Sequence, residues 1–166
     1  MRPIAEKSPL SHVGRRRRIE DAVLWRMVTG KRSVSVYLIE AQTLFVPTLV
    51  DVFEEAGFEF RGSSVDTSVR QLLNEPPDIV FVDIDFVSQD PLRLISLLRT
   101  LLPETIIYVY TSQTNPDWAA ACHGAGASGI SSKNASRQEI VAGMRTSLEN
   151  GTYTDPRMMI KMSLRN

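Results

Sequence analysis

The feature that most constrains the fold of this chain is a short, continuously apolar segment that ends in two carboxylates. Residues 79–82 read Ile-Val-Phe-Val and come after a Pro-Pro pair, a pattern typical of a strand buried on both faces of a parallel sheet. Asp83 and Asp85 follow directly. Open α/β sheets bind ligands beyond the carboxyl ends of their strands, although an aspartate there also commonly caps a turn. The segment therefore predicts a central strand whose carboxylates are either ligand groups or turn caps.

Segments typical of strands and of helices alternate along residues 33–150. Besides the segment above, β-branched and aromatic runs predict strands at 34–39, 58–61, 105–110 and around Ile130. Apolar residues at helical spacing predict helices at about 43–56, 65–73, 92–102, 116–123 and 136–150. Five strand-helix pairs indicate a doubly wound α/β fold with a five-stranded parallel sheet. For five strands the usual, flavodoxin-like order is 2-1-3-4-5.

The two ends of the chain differ in charge, although the formal net charge is zero. Residues 1–33 carry nine Lys or Arg against three Asp or Glu, and the remainder carries ten against sixteen. Residues 1–32 are therefore predicted to be a basic N-terminal extension, with a short amphipathic helix at 19–28. Its arginine run is either a solvated tail or binds nucleic acid, an acidic surface or a membrane face. Met27 is an alternative start of the chain.

The cysteine content and hydropathy predict a soluble, cytoplasmic protein without a membrane partner. The chain has one cysteine, Cys122, which excludes a disulfide framework. No apolar run approaches the ~20 residues of a membrane span. His123 lies beside Cys122, but a metal site would need more ligands.

Polar side chains follow four of the predicted strands: Glu40, Asp83, Thr111 and Lys133. The carboxyl ends of parallel strands meet at one edge of a sheet, so we expect these side chains to lie together. Such a set suits phosphoryl transfer, because a carboxylate can attack phosphorus while a lysine, a hydroxyl and a bound cation neutralise the phosphoryl oxygens.

These motifs resemble those of the receiver domains of two-component response regulators over roughly residues 33–150. The sequence Pro-Asp-Ile-Val-Phe-Val-Asp83 is similar to the phospho-acceptor strand, and Tyr-Val-Tyr-Thr111-Ser112 to the strand with the switch threonine. The run that begins at Gly126 and ends at Lys133 is similar to the strand that bears the lysine. The resemblance implies phosphorylation of Asp83, with Thr111 and Lys133 stabilising the phosphoryl group. It implies a regulatory protein and not an enzyme.

The resemblance also implies partners. They are a histidine kinase or phosphotransfer protein, a downstream regulatory protein and, at the surface of the last helix, a second copy of the chain. Residues 151–166 are predicted to be a C-terminal tail, which begins like the linker of LuxR-type regulators. Because the chain stops at Asn166, we expect no helix-turn-helix domain and no direct DNA binding, unless the basic extension takes over that role.

Four departures from the family's pattern occur, at Ala41, at Ile130, at Asn134 and in the loop after Asp83, and the first two bear most on function. Ala41 stands where the family has a second carboxylate that binds the metal directly, so we expect Mg²⁺ to be held weakly by Glu40, Asp83 and the backbone carbonyl of Asp85, with the Asp85 side chain as a substitute ligand. Ile130 stands at the aromatic switch position of the output face. Two hypotheses remain open: an atypical single-domain response regulator that is phosphorylated on Asp83, and a pseudo-receiver that binds its partner without phosphorylation.

Overall fold

The computed structural model describes residues 33–66 and 70–159 of the chain. In this part of the chain, six parallel strands form one sheet in the order β2-β1-β3-β4-β5-β6. The strands are β1 (Ser35–Ile39), β2 (Glu59–Ser64), β3 (Ile79–Asp83), β4 (Ile106–Thr111), β5 (Gly129–Ser132) and β6 (Tyr153–Thr154). The helices are α1 (Val46–Glu55), α2 (Arg70–Asn74), α3 (Pro91–Leu101), α4 (Pro116–Ala125) and α5 (Arg137–Asn150). Two 3-10 turns span Thr43–Phe45 and Pro156–Met158.

The predicted doubly wound sheet and its order 2-1-3-4-5 are confirmed, and the count of five strands is corrected to six. The additional strand β6 lies in the segment predicted to be a C-terminal tail and pairs with Gly129 and Ile130 of β5. The side chain of Asp155, directly after β6, accepts a hydrogen bond of 2.9 Å from the backbone N–H of Ser132. The predicted helix at 19–28, Met27 and the basic extension lie outside the described residues.

Side-chain caps fix where three of the helices begin. Asp90 caps α3, and Asn115 caps α4, each accepting a backbone N–H of the first turn. Ser136 and Glu139 form the predicted capping box of α5, with hydrogen bonds of 3.1 Å and 2.6 Å. Gly151 ends α5 in the left-handed conformation at φ 80°. The loops at the carboxyl ends of β3, β4 and β5 are therefore fixed on their helix side.

Strand β3 is continuously apolar because helices cover both faces of the sheet. Its residues Ile79 and Phe81 pack in a core with α1 and α5, and Val80 and Val82 pack in a second core with α2, α3 and α4. All five residues of β3 are buried, including Asp83 at its end. The position of this carboxylate is thus set by two hydrophobic cores and by β1 and β4 on either side.

In the described ranges, no helix is both long and apolar enough to cross a membrane.

A pair of glycines tests how closely α5 packs on the sheet. A Cβ at Gly143 would lie 2.5 Å from Cε1 of Tyr153 and would collide with the hydroxyl of Tyr108, whereas a Cβ at Gly124 of α4 meets nothing within 4 Å. Gly143→Ala should therefore lower the free energy of unfolding by about 1–3 kcal/mol through overpacking. Gly124→Ala, the matched control, should raise it by up to about 1 kcal/mol through helix propensity. Urea denaturation measures both, and equal stability of the two variants would contradict the packing.

Candidate functional site

The four polar side chains that follow the strands lie at one edge of the sheet. Asp83 pairs in register with Tyr110 of β4, and Thr111 pairs with Ser132 of β5. The backbone N–H of Lys133 continues this ladder with a hydrogen bond of 2.9 Å to the carbonyl of Thr111. The edge thus brings together Glu40, Asp83, Thr111 and Lys133.

Lys133 connects two carboxylates at this edge. Its Nζ lies 2.6 Å from Oδ2 of Asp83 and 3.1 Å from Oδ2 of Asp85. It also lies 5.0 Å from the ring centre of Phe86 and 5.5 Å from that of Tyr110. Burial alone would lower the pKa of Lys133, but its hydrogen bonds and charge interactions with Asp83 and Asp85 outweigh burial and raise the pKa above its ordinary value. The lysine is therefore a fixed positive charge at neutral pH.

Hydrogen-bond donors surround the side chain of Asp85, which the sequence predicted to be a substitute metal ligand. Its Oδ1 accepts a hydrogen bond of 2.6 Å from the hydroxyl of Thr111, and its Oδ2 accepts one of 2.8 Å from the backbone N–H of Ser112. Burial alone would raise the pKa of Asp85, but the hydrogen bonds from Thr111, Ser112 and Lys133 lower it below its ordinary value. The side chain of Asp85 is therefore an ionised carboxylate turned toward β4 and β5.

Sequence reasoning missed the contact of Asp85 with Thr111 and with the N–H of Ser112. The sequence shows only that Asp85 follows Asp83 by two residues, beyond the carboxyl end of the strand and on the side of the sheet where ligand groups are expected. No pattern in the sequence shows that the backbone of Ser112 would turn its N–H toward that side.

Glu40 and Asp83 form the acidic part of the site. Glu40 Oε1 accepts a hydrogen bond of 2.8 Å from the N–H of Gln42, while its Oε2 is buried without a hydrogen bond. Burial and the neighbouring Asp83 carboxylate raise the pKa of Glu40 to about 7. An orphaned carboxylate oxygen whose pKa is raised in this way fits a cation, since positive charge would stabilise both carboxylates.

The residues at this site fit Mg²⁺ bound by only a few protein ligands. Mg²⁺ is usually held by one or two carboxylates and keeps several waters, which Glu40 and Asp83 can satisfy. Ala41 contributes no ligand oxygen from its side chain, and the Asp85 carboxylate is engaged with Thr111. Within residues 33–66 and 70–159, no cluster of three or more His, Cys, Asp or Glu side chains surrounds a common metal position.

A cavity of about 390 Å³ opens beside the carboxylates of Glu40 and Asp83, and Lys133 also lines it. Two phenylalanines at its mouth are largely exposed, Phe45 at 48% and Phe86 at 53%. The side chain of Asp83 is itself only 1% exposed. A reagent therefore reaches Asp83 through this cavity, past an apolar rim.

Ile130, at the position of the family's aromatic switch, is a buried residue. It is 0% exposed and packs in the core with α3 and α4, because β5 lies between β4 and the added strand β6. The neighbouring His123 has a structural environment as well. Its ring nitrogens lie 3.0 Å from the carbonyl of Ala127 and 2.8 Å from Oγ1 of Thr154, and Cys122 is buried in the same core.

Removing the side-chain charge of Lys133 tests whether this charge compensates the negative charges of Asp83 and Asp85. Lys133→Met would leave Asp83 and Asp85 as buried charges without a cation, so the free energy of unfolding at pH 7 should fall by about 3 kcal/mol. Adding Asp85→Asn to this variant should restore part of the loss. Arg137→Met is the control, because its ion pair with Glu55 is exposed and its loss should cost no more than about 0.5 kcal/mol. Equal losses in urea denaturation for Lys133→Met and Arg137→Met would contradict this account.

Comparisons with known proteins agree with the fold of the described residues. Residues 36–145 match the family model of the response regulator receiver domain. No curated protein matches the chain. The structure is similar to a LuxR-family two-component response regulator from Aurantimonas, with a TM-score of 0.70 and 19% identity over 76% of this chain and 92% of that one.

Two further solved structures are similar to this chain. The RcsB response regulator of Salmonella typhimurium has a TM-score of 0.67 and 16% identity, over 76% of this chain and 64% of that one. A CheY-like receiver domain protein from Methanospirillum hungatei has a TM-score of 0.63 and 14% identity, over 71% of this chain and 95% of that one. At these identities the likeness shows the fold, and the family match supplies the assignment. Because that match spans more than half of the chain, the chain belongs to the response regulator receiver domain family of two-component signalling.

Proposed function

We propose that Asp83 accepts a phosphoryl group from a histidine kinase or a phosphotransfer protein, and that a downstream regulatory protein reads the result. One observation carries this proposal. The Asp83 carboxylate is fixed at the end of the central strand, with Nζ of Lys133 2.6 Å from its Oδ2 and a cavity beside it. A buried carboxylate in that position is poised to act as an acceptor whose product remains next to a fixed positive charge.

The chemistry is a single displacement at phosphorus. A carboxylate oxygen of Asp83 attacks the phosphorus of a phosphohistidine, the new P–O bond forms and the P–N bond breaks, and the imidazole nitrogen keeps the electron pair. An ionised carboxylate needs no general base, so the work of the site is to neutralise the phosphoryl oxygens. Lys133 supplies positive charge, and Thr111 with the N–H of Ser112 supplies hydrogen-bond donors. Mg²⁺ at Glu40 and Asp83 would add charge neutralisation there. In this role the chain is an acceptor and not an enzyme.

The signal would leave the site through Thr111. This residue ends β4, is fully buried, and is followed by the loop that leads to Asn115, the cap of α4. A change in the partner of its hydroxyl therefore acts on the loop before α4, close to the surface formed by α4, the edge strand β6 and α5. We propose that the downstream protein binds this surface, and that α5 also supports self-association. The structurally similar RcsB is described as forming dimers. A cytoplasmic location agrees with the buried free thiol of Cys122.

Treatment with a small acyl phosphate tests the proposal. Incubation with acetyl phosphate and saturating Mg²⁺ should add one phosphoryl group to the wild-type protein, because Asp83 lies beside Lys133 and lines the cavity. Intact mass detects the adduct. Asp83→Asn should abolish the adduct. Asp51→Asn, which changes an exposed aspartate of α1, should leave it unchanged. An adduct that survives Asp83→Asn, or no adduct on the wild-type protein, would contradict the proposal.

A further inference from the structure

The donors that a phosphoryl group on Asp83 would need are already engaged by another side chain. The hydroxyl of Thr111 and the backbone N–H of Ser112 both donate to the carboxylate of Asp85, at 2.6 Å and 2.8 Å. Nζ of Lys133 lies 3.1 Å from the same carboxylate. Three donors from the ends of β4 and β5 thus converge on the two oxygens of one acid. An arrangement of a hydroxyl, an amide N–H and an ammonium group is an oxyanion site, and Asp85 fills it.

We propose that the carboxylate of Asp85 is an internal occupant of the oxyanion site beside Asp83, which must leave before that site can receive the oxygens of a phosphoryl group. The inference rests on the proposed function, because it concerns the control of that reaction. It assigns to Asp85 a restraining role, in place of the metal-binding role expected from the sequence.

The two occupants would compete for the same donors. Oδ2 of Asp83 lies 2.6 Å from Nζ of Lys133, and Oδ2 of Asp85 lies 3.1 Å from the same atom. A phosphoryl group bonded to Asp83 would therefore lie beside the Asp85 carboxylate and share Lys133 with it. The side chain of Asp85 is 9% exposed and lines the same cavity as Asp83.

Charge leads to the same conclusion. A phosphoryl group brings a charge of about −1.5 to −2 near neutral pH. With Asp85 in place, this charge would share one ammonium group with a second ionised carboxylate. Like charges at such short range repel strongly where water is largely excluded. Phosphorylation and the movement of the Asp85 side chain out of the site are therefore linked, since each lowers the free-energy cost of the other.

Asp85 has a route out of the site that leaves the core intact. It belongs to the surface turn between β3 and α3, in which Phe86 is 53% exposed and residues 88 and 90 are exposed as well. Rotation of its side chain toward solvent releases Thr111 and Ser112 together. The same movement that empties the site thus supplies both donors to the incoming oxygens.

Sulfate binding in the presence of a chelator tests whether Asp85 occupies the oxyanion site. This test needs no phosphoryl transfer. The amide signals of Ser112 and Lys133 are followed by NMR during sulfate titration of the wild-type protein, Asp85→Asn, Asp85→Ala and the control Asp51→Asn. Asp85→Asn removes the charge but keeps a side chain that can accept from Thr111 or Ser112, whereas Asp85→Ala empties the site. Sulfate affinity should rise about tenfold or more from the wild-type protein to Asp85→Ala, with Asp85→Asn between them and Asp51→Asn unchanged.

Equal gains in Asp85→Asn and Asp85→Ala would show an effect of charge alone and would overturn the occupancy. The occupancy would also be overturned if the amide signal of Ser112 showed no gain in sulfate affinity in either variant. If Asp85→Ala does not keep the native fold, Asp85→Ser replaces it, because its hydroxyl is too short to accept from both Thr111 and Ser112.

The rate of labelling by acetyl phosphate then separates this inference from the proposed function. If both hold, Asp85→Asn should gain its adduct at least about fivefold faster than the wild-type protein, because a competing charge is gone. A wild-type protein that is labelled as fast as Asp85→Asn would overturn the restraint while leaving Asp83 as the acceptor. If neither protein is labelled, the proposed function fails, and the sulfate titration alone decides whether Asp85 occupies an oxyanion site.

Discussion

Two carboxylates can share the carboxyl edge of this sheet because the ammonium group of Lys133 lies between them. Buried charges are costly unless they are paired, and Asp83 is almost fully inaccessible to solvent. The pairing requires that β3 and β5 lie on either side of β4 in parallel, so that their carboxyl ends reach the same edge. The strand order, the two hydrophobic cores and the side-chain caps of the following helices all serve to hold that edge. The site is therefore a property of the whole sheet and not of a single loop.

Much of this arrangement could be predicted from the sequence, because it depends on patterns of short range. The apolar run before Asp83 needs cover on both faces, and the alternation of strands and helices then restricts the sheet to few orders. The capping box at Ser136 and Glu139 is equally local, and the structure contains it. From these elements, the arrival of Glu40, Asp83, Thr111 and Lys133 at one edge follows without any tertiary information.

The parts that could not be predicted depend on contacts between distant segments. Strand β6 has two residues, and it is a strand because it pairs with the edge of β5 and because Asp155 binds the N–H of Ser132. That added strand also places Ile130 inside the sheet, whereas the family's pattern suggested an output face. The partners of Asp85 depend on a side-chain rotamer and on the direction of one backbone N–H, neither of which leaves a signal in the sequence.

Under the proposed function, a receiver domain in which a second aspartate binds Thr111 differs from a simple acceptor, because phosphorylation would exchange one anion for another. The crystal structure of the wild-type protein with beryllofluoride and Mg²⁺ tests this account most directly. The account predicts the adduct on Asp83, with Thr111, the N–H of Ser112 and Lys133 bound to it and with Asp85 turned to solvent. An adduct on Asp83 with Asp85 still hydrogen-bonded to Thr111, or an adduct on any other residue, would contradict it.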